Sequence, residues 1–162
     1  MEYPPTSSAL ATIRQACSRD FASISKLNLL TKRPQRTDLQ LPEYLIAEID
    51  RELVGCAALR CRRDCGYLYG LIVHPSWRRQ GIGHSLTDRR LEAIRTQGLH
   101  HAFVFAMFWN VKFFKRHGFA LTDRSRALQL RWLHMDFEDA WCRRSALLSL
   151  SFDASRPQRA AE

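Results

Sequence analysis

The chain has 162 residues, 46% of them hydrophobic and 25% charged, enough for one domain with a core and too few for two ordinary ones. Its 25 basic and 16 acidic side chains leave a net charge of +9, which suits an anionic ligand and disfavours a polycationic substrate. No apolar stretch exceeds strand length and the first ten residues lack the parts of a secretory signal, so no membrane partner is expected and a cytoplasmic location is.

Residues 11–16 alternate well enough for a first strand. Ser18 or Asp20 can cap a helix whose Phe21, Ile24 and Leu27 recur on one face. Pro34 and Pro42 break and close residues 29–41, which predicts a loop holding at most a short helix. Tyr44–Ile49 predicts a strand, Asp50-Arg51 a tight connection, and residues 53–59 the returning strand of a hairpin. Asp64-Cys65-Gly66 predicts the next turn. Residues 67–73 then form a strand in which Gly70 suggests a bulge, where the sheet can splay to admit a ligand.

A helix over 83–96 presents Thr87, Leu91 and Ile94 inward and stops at Gly98. Residues 101–107 predict a buried strand and 110–117 a short helix ended by Gly118. Strand-like patterns return at 128–133 and 146–152. No repeat, linker or low-complexity tract interrupts this order. It gives an N-terminal extension at 1–10, one domain over 11–152 and a flexible C-terminal tail at 153–162. The cysteines at 17, 56, 61, 65 and 142 are an odd set; Cys61 and Cys65 have no second pair to complete a metal site, so reduced thiols and no metal are expected.

The most informative stretch is residues 71–83, Leu-Ile-Val-His-Pro-Ser-Trp-Arg-Arg-Gln-Gly-Ile-Gly. An apolar strand meets a His-Pro stop, then a basic turn that opens a helix. Such a turn brings the backbone N–H groups of Gln80, Gly81, Ile82 and Gly83 to a helix N-terminus, where they converge on an anion. Gly81 and Gly83 permit positive φ and close approach of a phosphate, while Arg78 and Arg79 add fixed positive charge. The stretch lacks the Gly-Lys-Ser/Thr of a P-loop, and Leu86 stands where a dinucleotide fingerprint has its third glycine. An ordinary strand–turn–helix corner with a basic rim is the plainer alternative.

Arg78-x-x-Gly81-x-Gly83 after that strand end resembles the acyl-CoA signature of the GNAT acetyltransferase superfamily. The resemblance covers residues 11–152. It implies an α/β fold with a mixed central sheet, splayed at the acyl-CoA strand and flanked by helices. Four further stretches are similar to the acetyltransferase domain of the N-acetylglutamate synthase family, the amino-acid N-acetyltransferases of arginine biosynthesis. They are Leu29-Leu30-Thr31-Lys32-Arg33, Val54-Gly55-Cys56-Ala57-Ala58-Leu59, Phe113-Phe114-Lys115-Arg116-His117-Gly118-Phe119 and Arg143-Arg144-Ser145-Ala146-Leu147-Leu148.

Carried over by position, the resemblance implies acetyl-CoA on the backbone of Leu71, Ile72 and Val73. Its pyrophosphate would lie on Arg79, Gln80, Gly81, Ile82, Gly83 and His84, beside Arg78. Asn110 and Phe114 belong to the same cofactor set. The acceptor side falls to Leu30, Lys32, Arg143 and Ser145, of which Lys32 and Arg143 can pair the carboxylates of an acidic amino acid. Two departures matter. Tyr67 stands where the family usually has glutamate, so Tyr67, Tyr69 or a water held by them is the candidate for removing the amine proton. Phe114 stands where many GNAT enzymes place a tyrosine beside the leaving thiolate.

The implied reaction is direct acetyl transfer to a primary amine, such as the α-amino group of glutamate, in a ternary complex. Another acceptor (a protein N-terminus, a polyamine, an antibiotic) and a non-catalytic acyl-CoA-binding module both stay open. No nucleic-acid motif accompanies the dispersed positive charge, so nucleic acid is not an expected partner. The oligomeric state, a homodimer included, is left open.

Overall fold

A computed structural model describes residues 10–32, 39–126 and 140–152. Residues 1–9 of the expected N-terminal extension, much of the loop before Tyr44, the strand expected at 128–133 and the tail from 153 lie outside them. The chain divides into two compact units. One comprises residues up to Leu59 together with Leu68–Arg90, and the other Arg60–Tyr67 together with residues from Leu91 onward.

The strand order is β1 (Thr12–Gln15), β2 (Tyr44–Ile49), β3 (Glu52–Arg62), β4 (Cys65–Val73), the first unit taking β3 up to Leu59 and β4 from Leu68. β1 pairs antiparallel with β2, and β2 with β3. Asp50 and Arg51 both have positive φ, +51° and +67°, which gives the β2–β3 hairpin the mirror-image turn that matches strand twist. Helix α1 (Phe21–Leu30) places Ile24 and Leu27 in one core cluster with Tyr44, Ile46, Cys56, Ala58 and Ile72. The start of helix α2 (Ile82–Thr96) places Ile82 and Leu86 in another, with Ala47, Ile49, Val54 and Ala57.

Both inner strands change phase. Ala47 pairs with Gly55 but Glu48 with Leu53, so Val54 is an extra residue in β3. In β4, Tyr69 packs with the α1 cluster whereas Leu71 and Val73 pack with the α2 cluster. Strict period two would send all three to one face. The break falls at Gly70, whose φ is +61°, as the expected bulge requires.

Two details of the first unit correct the sequence reading. Phe21 is 43% exposed, and the buried stripe of α1 takes Asn28 instead, whose Nδ2 donates to the Ile24 carbonyl at 3.1 Å. Asp20 does not cap α1 with its side chain. Its Oδ2 accepts from the Cys17 N–H at 2.8 Å, and its two oxygens accept from Arg14 at 2.8 and 2.9 Å. Arg14 lies in β1 and also donates to Glu48 of β2 at 2.6 and 3.0 Å. One guanidinium fork thus ties two strands to the approach of α1.

The second unit holds β5 (His101–Ala106), β7 (Ala146–Ser151) and β6 (Ala120–Leu121) in that order, with antiparallel pairs. Helix α3 (Phe108–Arg116) ends at Gly118, φ +90°. Helix α4 (Ala140–Arg144) and the two-residue β6 are too short to leave a periodic pattern in the sequence. The turn expected at Asp64-Cys65-Gly66 sits one residue earlier. Arg63 takes φ +53°, while Cys65 and Gly66 are buried and already in β4.

Arg14 holds the Asp20 carboxyl well below the usual carboxylate range. That contribution is present above the unfolded value of about 4 and is lost as pH falls toward the depressed folded value. Asp20→Asn is expected to cost about 2 kcal/mol at neutral pH, and the variant's stability should fall less steeply below about pH 4. Urea titrations at several pH values check both. Gly70→Ala forces a Cβ into positive φ and to 3.0 Å from the Tyr44 hydroxyl. A loss of about 1–3 kcal/mol is expected in the same assay.

Candidate functional site

β4 delivers the residues of the expected anion cradle. Leu71 and Val73 are half-buried and Ile72 is buried. The strand ends where the His74 N–H donates at 2.8 Å to the carbonyl of Val54, the extra residue of β3, so one bulge fixes the end of the neighbouring strand. Pro75–Trp77 forms a single 3-10 turn, closed by the Trp77 N–H donating to the His74 carbonyl at 2.9 Å and capped by the Ser76 N–H donating to His74 Nδ1 at 3.2 Å. Arg78 Nε donates back to the Val73 carbonyl at 3.2 Å.

The turn into α2 is made by Arg79 at φ +60° and Gly81 at φ +82°. The sequence assigned positive φ to Gly83 as well; instead Gly83 lies in the first turn of α2, where its carbonyl accepts from Thr87 Oγ1 at 2.8 Å. The second left-handed residue is therefore an arginine, held there by the connection between the strand and the buried Ile82. Gly55 allows that connection to be tight. A Cβ on it would lie 3.2 Å from both the Ile72 carbonyl and Ile82 Cγ2.

The amides that open α2 have no preceding helical turn to accept them, so they point outward. Arg78, Arg79, Gln80 and Gly81 are exposed, and His84 is half-buried. A Cβ built on Gly81 meets no atom within 4 Å. The corner thus combines oriented N–H dipoles, two guanidinium groups and open space, which suits a phosphate or pyrophosphate.

The remaining expected residues are distributed over both units. Leu30 ends α1 and is half exposed; Lys32 follows at φ +55° and is exposed, its N–H donating to the Leu29 carbonyl at 3.0 Å. In the second unit Tyr67 is buried with its ring edge-on to Phe105 at 6.3 Å. Asn110 is half-buried in the first turn of α3. Phe114 is buried one turn later and stands edge-on to Phe113 and Phe119, at 5.0 and 5.8 Å.

Arg143 is exposed at the end of α4, and Ser145 is buried just after it. Ser145 Oγ lies 3.4 Å from Met107 Sδ, and the Ser145 carbonyl accepts from Arg124, which also donates to the Cys142 carbonyl at 2.8 Å. The structure thus places Leu30 beside Lys32, and Arg143 beside Ser145. Ser145 is engaged in the packing of its own unit.

Two polar features were missed by the sequence reading, the pairing of Tyr69 with Glu43 and the burial of Arg90. Tyr69 donates a short hydrogen bond to the Glu43 carboxylate, and its ring is edge-on to Tyr44 at 5.8 Å. Arg90 of α2 has 0% exposure. The signal for Arg90 was present, since a residue four after Leu86 and four before Ile94 must lie on the buried stripe. The five cysteines are free thiols. Burial and the Asp64 carboxylate push the Cys65 thiol up to about 12, which keeps it protonated and unreactive. Among the described residues, no group of three or more His, Cys, Asp or Glu is placed to hold a metal, and no helix is long and apolar enough to cross a membrane.

The geometry agrees with comparisons to known proteins. A model of the acetyltransferase (GNAT) family matches residues 9–119. The chain is 31% identical over 118 residues to an amino-acid acetyltransferase of Mycobacterium tuberculosis, across 66% of this chain and 67% of that protein. It is likewise 31% identical over 134 residues to an amino-acid acetyltransferase of Neisseria meningitidis, across 76% of this chain and 30% of the relative. N-acetylglutamate synthase from Neisseria gonorrhoeae, solved with coenzyme A and L-arginine, is similar with a TM-score of 0.73 and 27% identity, over 88% of this chain and 33% of that one. The chain therefore spans about a third of the length of these Neisseria proteins. It belongs to the acetyltransferase (GNAT) family, with the family's mixed α/β fold and its acetyl-CoA-dependent acyltransferase chemistry.

Proposed function

We propose that this protein acetylates the α-amino group of a small amino acid such as glutamate, by direct transfer from acetyl-CoA in a ternary complex. The carrying observation is the open, doubly left-handed turn at Arg79 and Gly81 between β4 and α2, with Arg78 and the first α2 amides around it. The similarity to amino-acid acetyltransferases supports the acceptor class. A place in arginine biosynthesis, a cytoplasmic location and a domain spanning residues 11–152 go with this reading.

In this reading the exposed amides and Arg78 and Arg79 neutralise the pyrophosphate, with Gln80, Gly81, Ile82, Gly83 and His84 forming the turn that receives it. The end of β4, Leu71, Ile72 and Val73, presents backbone groups along the pantetheine. The Val73 N–H polarises the thioester carbonyl and meets the charge that develops on it. Asn110 and Phe114 complete the cofactor set.

The acceptor must attack as a neutral amine, and free amines are protonated at neutral pH. Tyr67, or a water held by Tyr67 or Tyr69, takes that proton. Phe114 carries no hydroxyl, so the departing thiolate takes its proton from solvent or from the amine. The family resemblance assigns the acceptor carboxylates to Lys32 and Arg143, and adds Leu30 and Ser145 to the acceptor set. Positioning supplies most of the rate.

The same two aromatic residues favour a second reading, an acyl-CoA-binding module without turnover. Tyr67 and Phe114 stand where the family resemblance places a glutamate and a tyrosine. Thiol release from acetyl-CoA in the presence of glutamate, aspartate, other free amino acids, amines and peptides separates the two.

Gly81→Val is expected to keep the fold and lower acetyl-CoA affinity at least about tenfold. The new side chain meets no protein atom within 4 Å but fills the space a phosphate needs and strains φ. Circular dichroism with calorimetric titration checks both halves; wild-type affinity in the folded variant removes the cradle from the cofactor site. Arg143→Ala is expected to lower kcat/KM for glutamate by about ten- to a hundredfold, the equivalent of about 1.5–3 kcal/mol, with acetyl-CoA affinity unchanged. Equal turnover of glutamate by wild type and variant removes Arg143 from the acceptor site.

A further inference from the structure

Arg90 is a full positive charge on the buried stripe of α2. Its Nε donates to the Leu86 carbonyl at 3.3 Å and its Nη2 to Thr87 Oγ1 at 3.1 Å. Its Nη1 donates to two strand carbonyls, Ala58 of β3 at 3.0 Å and Tyr69 of β4 at 3.3 Å. None of these partners carries a formal charge. Burial pushes the guanidinium down to about 9, the direction that desolvation gives a cation. A buried charge of this kind is often replaced by an apolar side chain at no loss of stability. Packing alone therefore gives no reason for an arginine here.

The backbone around Gly70 gives one. Tyr69 is the last residue of β4 before the phase change, and its carbonyl is one of the two that the guanidinium holds. The planar guanidinium has enough donors to hold the carbonyls of two strands while anchored to its own helix. The far side of the bend is closed as well. The Tyr44 ring lies over Gly70, and Cys56 Sγ donates to the Gly70 carbonyl at 3.8 Å. Beyond the bend come Leu71, Ile72 and Val73, re-aimed by one position relative to Tyr69.

We propose that Arg90 is a positioning residue of the acyl-CoA strand: by holding the Ala58 and Tyr69 carbonyls it fixes the phase change at Gly70 and so aims the backbone of Leu71, Ile72 and Val73. The proposal rests on residues 71–73 being the strand that receives acetyl-CoA. Its test separates the two claims.

The full chain is compared with Arg90→Met and Arg90→Lys. In the ligand-free proteins, amide hydrogen exchange at residues 70–73 should be at least about tenfold faster in Arg90→Met, with amides of α1 unchanged. Calorimetry with acetyl-CoA should show affinity about tenfold weaker in Arg90→Met, and partial recovery of both properties in Arg90→Lys, whose ammonium still donates to carbonyls. Wild-type exchange at 70–73 in Arg90→Met overturns the positioning role, whatever binds. Faster exchange with unchanged acetyl-CoA affinity overturns the aiming of the ligand strand. If the wild type itself fails to bind acetyl-CoA, the ligand reading falls while the exchange result still decides the role of Arg90. Should Arg90→Met not fold, Thr87→Val removes one anchor of the guanidinium and keeps its charge. Exchange at 70–73 should then rise by about threefold, and no rise overturns the proposal.

Discussion

A β-strand can show one face of a sheet only every second residue, and β4 escapes that restriction by passing through a left-handed residue at Gly70. The first unit is organised around this change. Before it, Tyr69 belongs with the core of α1; after it, Leu71 and Val73 belong with the core of α2, and Ile72 returns to the α1 side. The matching extra residue in β3, Val54, lends its carbonyl to the His74 N–H and so fixes where β4 stops. Turn, cradle and helix start then follow from two bulges in neighbouring strands. A regular pair of strands would have carried the chain past the position from which α2 can begin.

Two arginines of the first unit show how environment decides what a guanidinium does. Arg14 is partly exposed and clamps two carboxylates, so the charges offset each other and the cluster serves mainly stability. Arg90 is fully buried among neutral acceptors, where the desolvation of the charge is offset only by hydrogen bonds. That is a poor arrangement for stability and a good one for holding two strands at a set spacing. The difference is invisible in net charge, to which both contribute equally.

In the proposed reaction two aromatic residues stand where the family resemblance places a glutamate and a tyrosine. Tyr67 is buried against Phe105, and Phe114 is enclosed by two further phenylalanine rings. Neither position supplies a carboxylate, and of the two only Tyr67 carries a hydroxyl. The proposed reaction therefore rests on positioning and on backbone dipoles more than on acid–base side chains. Arg78 and Arg79 keep their side chains in solvent, where their charge is open to an anion.

The sequence by itself determined the parts whose physics is local. Hydrophobic period located the long strands and α2, glycines marked the helix ends at Gly98 and Gly118, and the run from Leu71 to Gly83 announced the open turn between β4 and α2. Local patterns could not say which residue of that turn is left-handed; the strand end and the buried Ile82 gave that role to Arg79 and left Gly83 helical. Nor could they place Asp20, which looks like a helix cap until β1 brings Arg14 to it. Short elements such as β6 and α4 exist through neighbours, so no periodicity betrays them. The burial of Arg90 was decided only by tertiary structure, because its partners, Ala58 and Tyr69, stand 32 and 21 residues away and become acceptors only once two bulged strands lie under one helix.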